Sequence, residues 1–387
     1  MSRWLPPDEP RAILSKLAAC AMPIPPPPQI LSYRHLLTGA VDDFLAEAGM
    51  SDPETTEALA EVLVTLSRYR EEGVPIFPAV YIGDELDELL SVLHGRDPIW
   101  IGQGRPTPET MRRALKQCAP LGRRGWSIFI VRRPGELRYG VFHGSSFVLH
   151  ETPMEWLRAC STRGRRAIGV VQLAENVLEL RASGGVARYV YLSGARIDMP
   201  PLPATLGELV RSLTRDVEPD ALIDTRTFYR RVFVMAMRDS HGMLVAVLPA
   251  EPRSTTGRLF ADGLLLEDPI NIVDRIRCYR RGSSEESASA IQALADLLQG
   301  MMSADGITVL RTDGTIAGFN VFIHHRAPPR RNDQPVGGAR RRTFDALAGE
   351  VGHELVGAFY RSQDGFAEWR GDHEDGAHSS AFAINTP

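Results

Sequence analysis

Residues 304–322 read Ala304-Asp305-Gly306-Ile307-Thr308-Val309-Leu310-Arg311-Thr312-Asp313-Gly314-Thr315-Ile316-Ala317-Gly318-Phe319-Asn320-Val321-Phe322. β-Branched and apolar residues fill 306–310 and 315–322, and Thr312-Asp313-Gly314 between them is a hairpin signal. The stretch predicts two adjacent strands, the first opening on Asp-Gly. Upstream, Ser283 with Glu286 three residues on predicts a capping box. The spacing of Ile291, Leu294, Ala295 and Leu298 behind it predicts a helix. Further upstream, Phe228–Met237 reads as a helix or a long buried segment, and Gly242–Leu248 as a buried strand. Downstream, Gly337-Gly338-Ala339 leads into Arg340-Arg341-Arg342 and a helix from Thr343 to Val351, with Phe344, Leu347, Ala348 and Val351 inward. Strands at Ala358–Tyr360 and Phe366–Trp369 flank a second hairpin at Asp364-Gly365. Strands alternating with helices predict an α/β fold.

The chain of 387 residues is long for one domain, and two are expected. With 43% hydrophobic and 24% charged residues it reads as a folded protein. A net charge of −4 provides no global attraction for nucleic acid or an anionic membrane. No apolar run approaches the length of a membrane span, and the N-terminus lacks a signal-peptide pattern. Cys20, Cys118, Cys160 and Cys278 are isolated, as for reduced thiols in the cytoplasm.

Residues 1–29 end in Pro23-Ile24-Pro25-Pro26-Pro27-Pro28-Gln29 and predict an extended arm. Residues 30–95 read as mainly helical, with a start at Asp52-Pro53 and apolar faces at Leu59, Leu63, Leu66 and at Leu86, Leu89, Leu90, Leu93. A strand at Pro98–Ile101, a loop at Gly102-Gln103-Gly104-Arg105-Pro106 and a helix capped by Thr107 follow. Helix positions Met111, Ala114, Leu115 and Cys118 face inward. Strands are predicted at Trp126–Val131, Tyr139–Phe142, Phe147–Leu149, Gly169–Leu173, Val177–Arg181 and Ala187–Leu192. Pro200-Pro201-Leu202-Pro203 is the best candidate linker, before a helix at Leu206–Leu213. The expected division is an arm over 1–29, an N-terminal α/β accessory domain over 30–205, a second α/β domain over 206–372 and a disordered tail over 373–387.

Two groups of residues bear on chemistry. The Asp305 carboxylate is a hard ligand suited to Mg²⁺ or Mn²⁺, and Gly306 lets backbone approach a nucleotide. An Asp-Gly dipeptide is also, more often than not, only a turn. Arg340, Arg341 and Arg342 at a helix start suit phosphate oxygens, although a basic run is more often a solvated surface. Gly102-Gln103-Gly104 with Arg105 before the Thr107 helix is a weaker anion-site candidate. His324-His325 and Asp372-His373-Glu374-Asp375 are weaker still as metal ligands.

Taken in order, residues 216–370 resemble the diadenylate cyclase family. Its two signatures, Asp-Gly-Ala and Gly-Thr-Arg-His-Arg, align with Asp305-Gly306-Ile307 and Gly338-Ala339-Arg340-Arg341-Arg342. Ala261-Asp262-Gly263-Leu264 resembles its glycine loop near the base, and Ser362-Gln363-Asp364-Gly365 its acidic Ser-Glu-Glu-Thr-Gly turn. The resemblance implies a mixed sheet flanked by helices and the condensation of two ATP into cyclic di-AMP between facing protomers of a homo-oligomer. It implies Asp305 and Asp364 on a Mg²⁺ or Mn²⁺ ion, and Asp305 and Arg341 as catalytic. Gly306, Gly338, Arg340, Arg342, Thr343, Asp262 and Gly263 would contact nucleotide or phosphate. The N-terminal domain would sense a signal, which the sequence does not name. Ile307 replaces the family's Ala, Arg341 its central His, and Gln363-Asp364 carries one carboxylate fewer. A catalytically inactive nucleotide-binding regulator with the same fold fits those departures.

Overall fold

The computed structural model describes residues 33–372, apart from 161–163, 165, 175, 193–201, 252–258, 324–337 and 363–365. The predicted arm, the tail from 373, His324-His325 and Pro200-Pro201 of the expected linker therefore lie outside the described residues, while Leu202-Pro203 of that linker open a helix. The chain is α/β. Its described helices are α1 (Tyr33–Glu47), α2 (Pro53–Leu66), α3 (Leu86–Leu93), α4 (Pro108–Cys118), α5 (Pro153–Ala159), α6 (Leu202–Leu213), α7 (Pro219–Asp239), α8 (Ile272–Gly282), α9 (Glu285–Ser303) and α10 (Ala339–Ala348). None is long and apolar enough to cross a membrane.

The first large sheet has seven strands: β3 (Val80–Gly83), β4 (Arg96–Gly104), β5 (Trp126–Arg133), β6 (Glu136–His143), β7 (Ala167–Ala174), β8 (Val177–Ala182) and β9 (Ala187–Tyr191), in spatial order β4-β6-β5-β3-β7-β8-β9. Only β3 and β5 run parallel among the pairs within it. Strand alternation sends Val80, Ile82, Ile128 and Ile130 to one face, where they meet α1, α2 and α4. Tyr81, Phe129 and Val131 go to the other. A small hairpin, β1 (Arg70–Glu71) with β2 (Val74–Pro75), precedes β3.

The second sheet has six strands: β10 (Met243–Leu248), β11 (Phe260–Asn271), β12 (Ile307–Arg311), β13 (Thr315–Ile323), β14 (Gly357–Arg361) and β15 (Ala367–Gly371), in order β11-β13-β12-β10-β14-β15. β10 lies parallel to β12 and antiparallel to β14, and all six of its residues are buried. Leu244, Ala246 and Leu248 point towards α10 with Ile307, Val309, Ala358 and Tyr360. Met243, Val245, Val247 and Phe359 point the other way, into the same cluster as Tyr81 and Phe129 of the first sheet. One apolar layer, with Phe228, Tyr229, Val232 and Phe233 of α7 in it, is therefore shared by both sheets. Polar contacts cross with it: Arg230 approaches Glu155 at 3.5 Å, and Arg231 donates to Ser145 O at 3.0 Å.

Several sequence expectations need correction. Residues 30–95 are mainly helical, in α1, α2 and α3, but they also hold the β1–β2 hairpin and β3, a central strand of the sheet that was not expected. Phe147–Leu149 is not a strand; Val148 and Leu149 are buried from a loop and turn before α5. Gly102-Gln103-Gly104 is the end of β4, not a loop. A Cβ at Gly102 would lie 2.5 Å from the Tyr139 hydroxyl, and one at Gly104 2.7 Å from Thr110 Oγ1, so packing explains both glycines. The cap of α9 is Ser284 instead of Ser283, which takes a left-handed conformation ending α8. Residues 272–282 form α8, which was not expected, tied to α7 by Arg277–Asp220 at 2.9 Å and by Arg280–Asp224. The helix expected from Thr343 starts at Ala339.

Candidate functional site

The parallel strands β10 and β12 both begin at the same end of the second sheet, where β13 and β14 end. Gly306 precedes β12 with φ +92°, and a Cβ there would fall 2.9 Å from the Asn320 carbonyl carbon. Gly263, in β11, has φ +132°, and its Cβ would fall 2.5 Å from Val321 Cα. Both glycines press on the same two residues of β13, and Asn320 itself is left-handed at φ +50°. The register agrees: Asp262 stands opposite Phe322, and Ile307 opposite Val321. The two Asp-Gly pairs singled out from the sequence thus meet across β13. The requirement for glycine is close backbone approach, which a turn would not explain.

Arg340 joins the other motif to this point. It lies in the first turn of α10 and its Nη2 donates to Asp305 Oδ1 at 3.0 Å. Its Nη1 donates to His241 O at 3.5 Å, in the turn that leads into β10. The Asp305 and Arg340 side chains are 86% and 43% exposed. Water screens such a pair to about 1 kcal/mol or less, so either partner can exchange it for a ligand.

Arg341 is differently placed. It makes ion pairs with Glu368 at 2.5 Å and Asp345 at 3.0 Å. Its guanidinium lies 5.2 Å from the Phe344 ring centre and 5.7 Å from that of Tyr360. Burial opposes its charge, but the Glu368 and Asp345 carboxylates outweigh that, holding the group above its ordinary value. Arg342 is exposed on the first turn. Thr343 donates its hydroxyl back to Ala339 O at 3.1 Å, as helical threonines do. Gly338 caps the helix with extended backbone, and an added Cβ would meet nothing within 4 Å. Cations on a first turn oppose the helix dipole. Here Asp305, Glu368 and Asp345 offset that conflict for Arg340 and Arg341.

Asp364 lies outside the described residues, and only the backbone of Asp262 is described. Among the described residues no group of three His, Cys, Asp or Glu side chains is gathered as a metal site. Asp305 alone fits the way Mg²⁺ is commonly held, by one or two carboxylates with substrate phosphates and water completing the shell. Of the weaker candidates, Asp372 instead pairs with Arg215 at 3.4 Å.

Sequence reasoning missed Arg361. It ends the apolar strand β14, is only 2% exposed, and donates to Ser240 O at 3.0 Å. Burial pushes its guanidinium down to about 10. An arginine closing the apolar run Gly357–Tyr360 is the one available signal, and it reads equally as a strand end. Comparison of the chain with family models, curated proteins and solved structures found no match.

Proposed function

We propose that residues 206–372 form a diadenylate-cyclase-like nucleotidyltransferase that condenses two ATP into cyclic di-AMP, under the control of an N-terminal sensor domain over 30–205. The observation that carries this reading is the Arg340–Asp305 pair beside the two glycine contacts on β13. It brings a hard carboxylate, a helix N-terminus and a guanidinium to one strand end, which is what a nucleotide triphosphate needs. Arg340 and Arg342 hold phosphates, with amides near Gly338, and the Asp262-Gly263 segment lies near the base. Asp305 would hold Mg²⁺ or Mn²⁺, which when bound neutralises the α-phosphate and helps activate the ribose 3′-hydroxyl. Each 3′-hydroxyl attacks the α-phosphate held by a facing protomer, and pyrophosphate leaves. The openness of Asp305 on one chain suits a site completed by a second copy.

A second reading, a nucleotide-binding regulator without turnover, draws on Arg341. The residue at the family's His position is engaged by Glu368 and Asp345. Incubation with ATP or GTP and Mn²⁺ or Mg²⁺, followed by mass spectrometry, separates the readings. The cyclase makes a cyclic dinucleotide, at a rate per protomer that rises with protein concentration until assembly is complete. Asp305→Asn lowers that rate by about a hundredfold or more. Tight ATP binding without product selects the regulator, and neither binding nor product removes both.

A further inference from the structure

On the opposite face of the second sheet from α10, a cavity of about 300 Å³ opens between the two sheets. That is at the small end of the range for ligand sites. Its wall is contributed by the β1–β2 hairpin region, β7 of the first sheet, the end of α7 and Arg361 of β14. Four arginines line it, Arg68, Arg70, Arg238 and Arg361, together with His241. Among the described residues no aspartate or glutamate does.

Arg361 is the residue that calls for a ligand. A guanidinium has five N–H donors and is strongly disfavoured in a dry interior unless a counter-charge is supplied. Here Nη1 donates to the Ser240 carbonyl at 3.0 Å and approaches its hydroxyl at 3.5 Å. Nε has no acceptor among the described residues. Across the cavity wall, Gln172 is also 2% exposed. Its Nε2 donates to Ser67 O at 3.0 Å, which fixes the amide orientation, and its Oε1 receives no donor among the described residues. A buried cation with an unmet donor and a buried amide with an unmet acceptor thus belong to the residues of the wall, both atoms covered from water in this structure. Tyr69 and Phe77 add partly buried ring surface.

We propose that this cavity binds a small organic oxyanion, its phosphate or carboxylate group on Arg361 and a hydroxyl or amine of the same molecule on Gln172. The site is separate from the Asp305 site, and the binding claim does not depend on the proposed cyclase activity. Its position makes it a regulatory input. Arg361 holds Ser240 O on one side of the turn Ser240-His241-Gly242, and Arg340 reaches His241 O on the other. A Cβ on Gly242 would fall 3.1 Å from Arg361 O and 3.2 Å from Arg340 Nη1, so the turn is tightly held between them. An anion drawing on Arg361 therefore acts on the segment that also anchors the partner of Asp305. That last clause, the effect on the Asp305 site, rests on the proposed function.

The test is thermal unfolding and calorimetric titration of the full chain with inorganic phosphate, pyrophosphate and citrate, in about 150 mM NaCl so that diffuse charge effects are screened. At least one of the three is expected to raise Tm by about 2 °C or more at about 10 mM. A response to the phosphates alone assigns a phosphate ligand, and one to citrate alone a carboxylate; either supports the site. Arg361→Met is expected to weaken binding about tenfold or more. Because that variant alters a buried position, the double variant Arg68→Glu and Arg70→Glu, on the exposed rim, provides the same loss without a core change. Asp305→Asn is expected to bind as the wild type does, which keeps this outcome distinct from failure of the cyclase reading. No response to any of the three anions, or equal binding by both the Arg361 and the rim variants, overturns the proposal.

Discussion

Gly263 and Gly39 differ in what surrounds them, and the difference predicts opposite outcomes for the same substitution. At Gly263 an alanine methyl would enter backbone 2.5 Å away at φ +132°. Gly263→Ala should destabilise by about 1–3 kcal/mol, the usual cost of forcing a side chain into such a conformation. Gly39 sits inside α1 with nothing within 4 Å of an added Cβ. Gly39→Ala should stabilise by about 0.5–1 kcal/mol through helix propensity. Urea unfolding of the two variants decides this, and equal effects would discredit the close approach at β13. Arg341 supports a second prediction. Arg341→His gives up hydrogen-bonded pairing with Glu368 and Asp345, so stability should fall by about 1–2 kcal/mol in a melt. Any nucleotide-joining activity should survive, because the proposed site assigns the phosphates to Arg340 and Arg342. Loss of activity with stability intact would return Arg341 to the site.

At the scale of elements, α4 shows how a sequence pattern carries through to chemistry. Thr107 caps it through Thr110 N, and Met111, Ala114, Leu115 and Cys118 are buried on one face as their spacing predicts. Burial pushes the Cys118 thiol up to about 12. Its folded value lies above the unfolded one, so the favourable term is intact below about pH 8.5 and lost as pH rises towards 12. At pH 8 an alkylating reagent should modify exposed Cys278 quickly and Cys118 only on unfolding, as peptide mass spectrometry can follow. Rapid native-state labelling of Cys118 would contradict the packing of α4. The short strand β3 was not legible in this way. Its signal is four residues, Val80–Gly83, between stretches with strong helical spacing, and so short an apolar run has no period of its own. β11 was obscured differently. It carries Glu267, Asp268 and Pro269 at the sheet edge, where no partner strand excludes them.

For the whole molecule, the shared apolar layer matters more than the count of sheets. Residues from β3, β5 and β7 and from α7, β10 and β14 belong to one buried cluster, crossed by Arg231 to Ser145 O. Separating the sheets would expose that layer on both. Chemical unfolding followed by near-ultraviolet dichroism and by tryptophan fluorescence should therefore give coincident single transitions. Trp100, Trp126 and Trp156 report the first sheet and its helices, and Trp369 the second. Two resolved transitions would show that each sheet folds without the other.

Local and periodic signals in the chain were enough for the α/β class, for most strands and helix faces, and for singling out Asp305-Gly306 and the glycine-led arginine run as separate motifs. The sequence foresaw the buried Phe344 and Leu347 of the arginine helix, but put the start four residues late and the end, at Val351 instead of Ala348, three residues late, since a run of arginines carries no capping signal. Only the tertiary structure brought Asp305 to Arg340 and tied Arg341 to Glu368, because those partners lie on elements far apart in the chain. It alone also buried Arg361 in an arginine-lined cavity between two sheets. No local pattern marks such a cavity, since its charge arises from separate segments whose proximity is a property of packing.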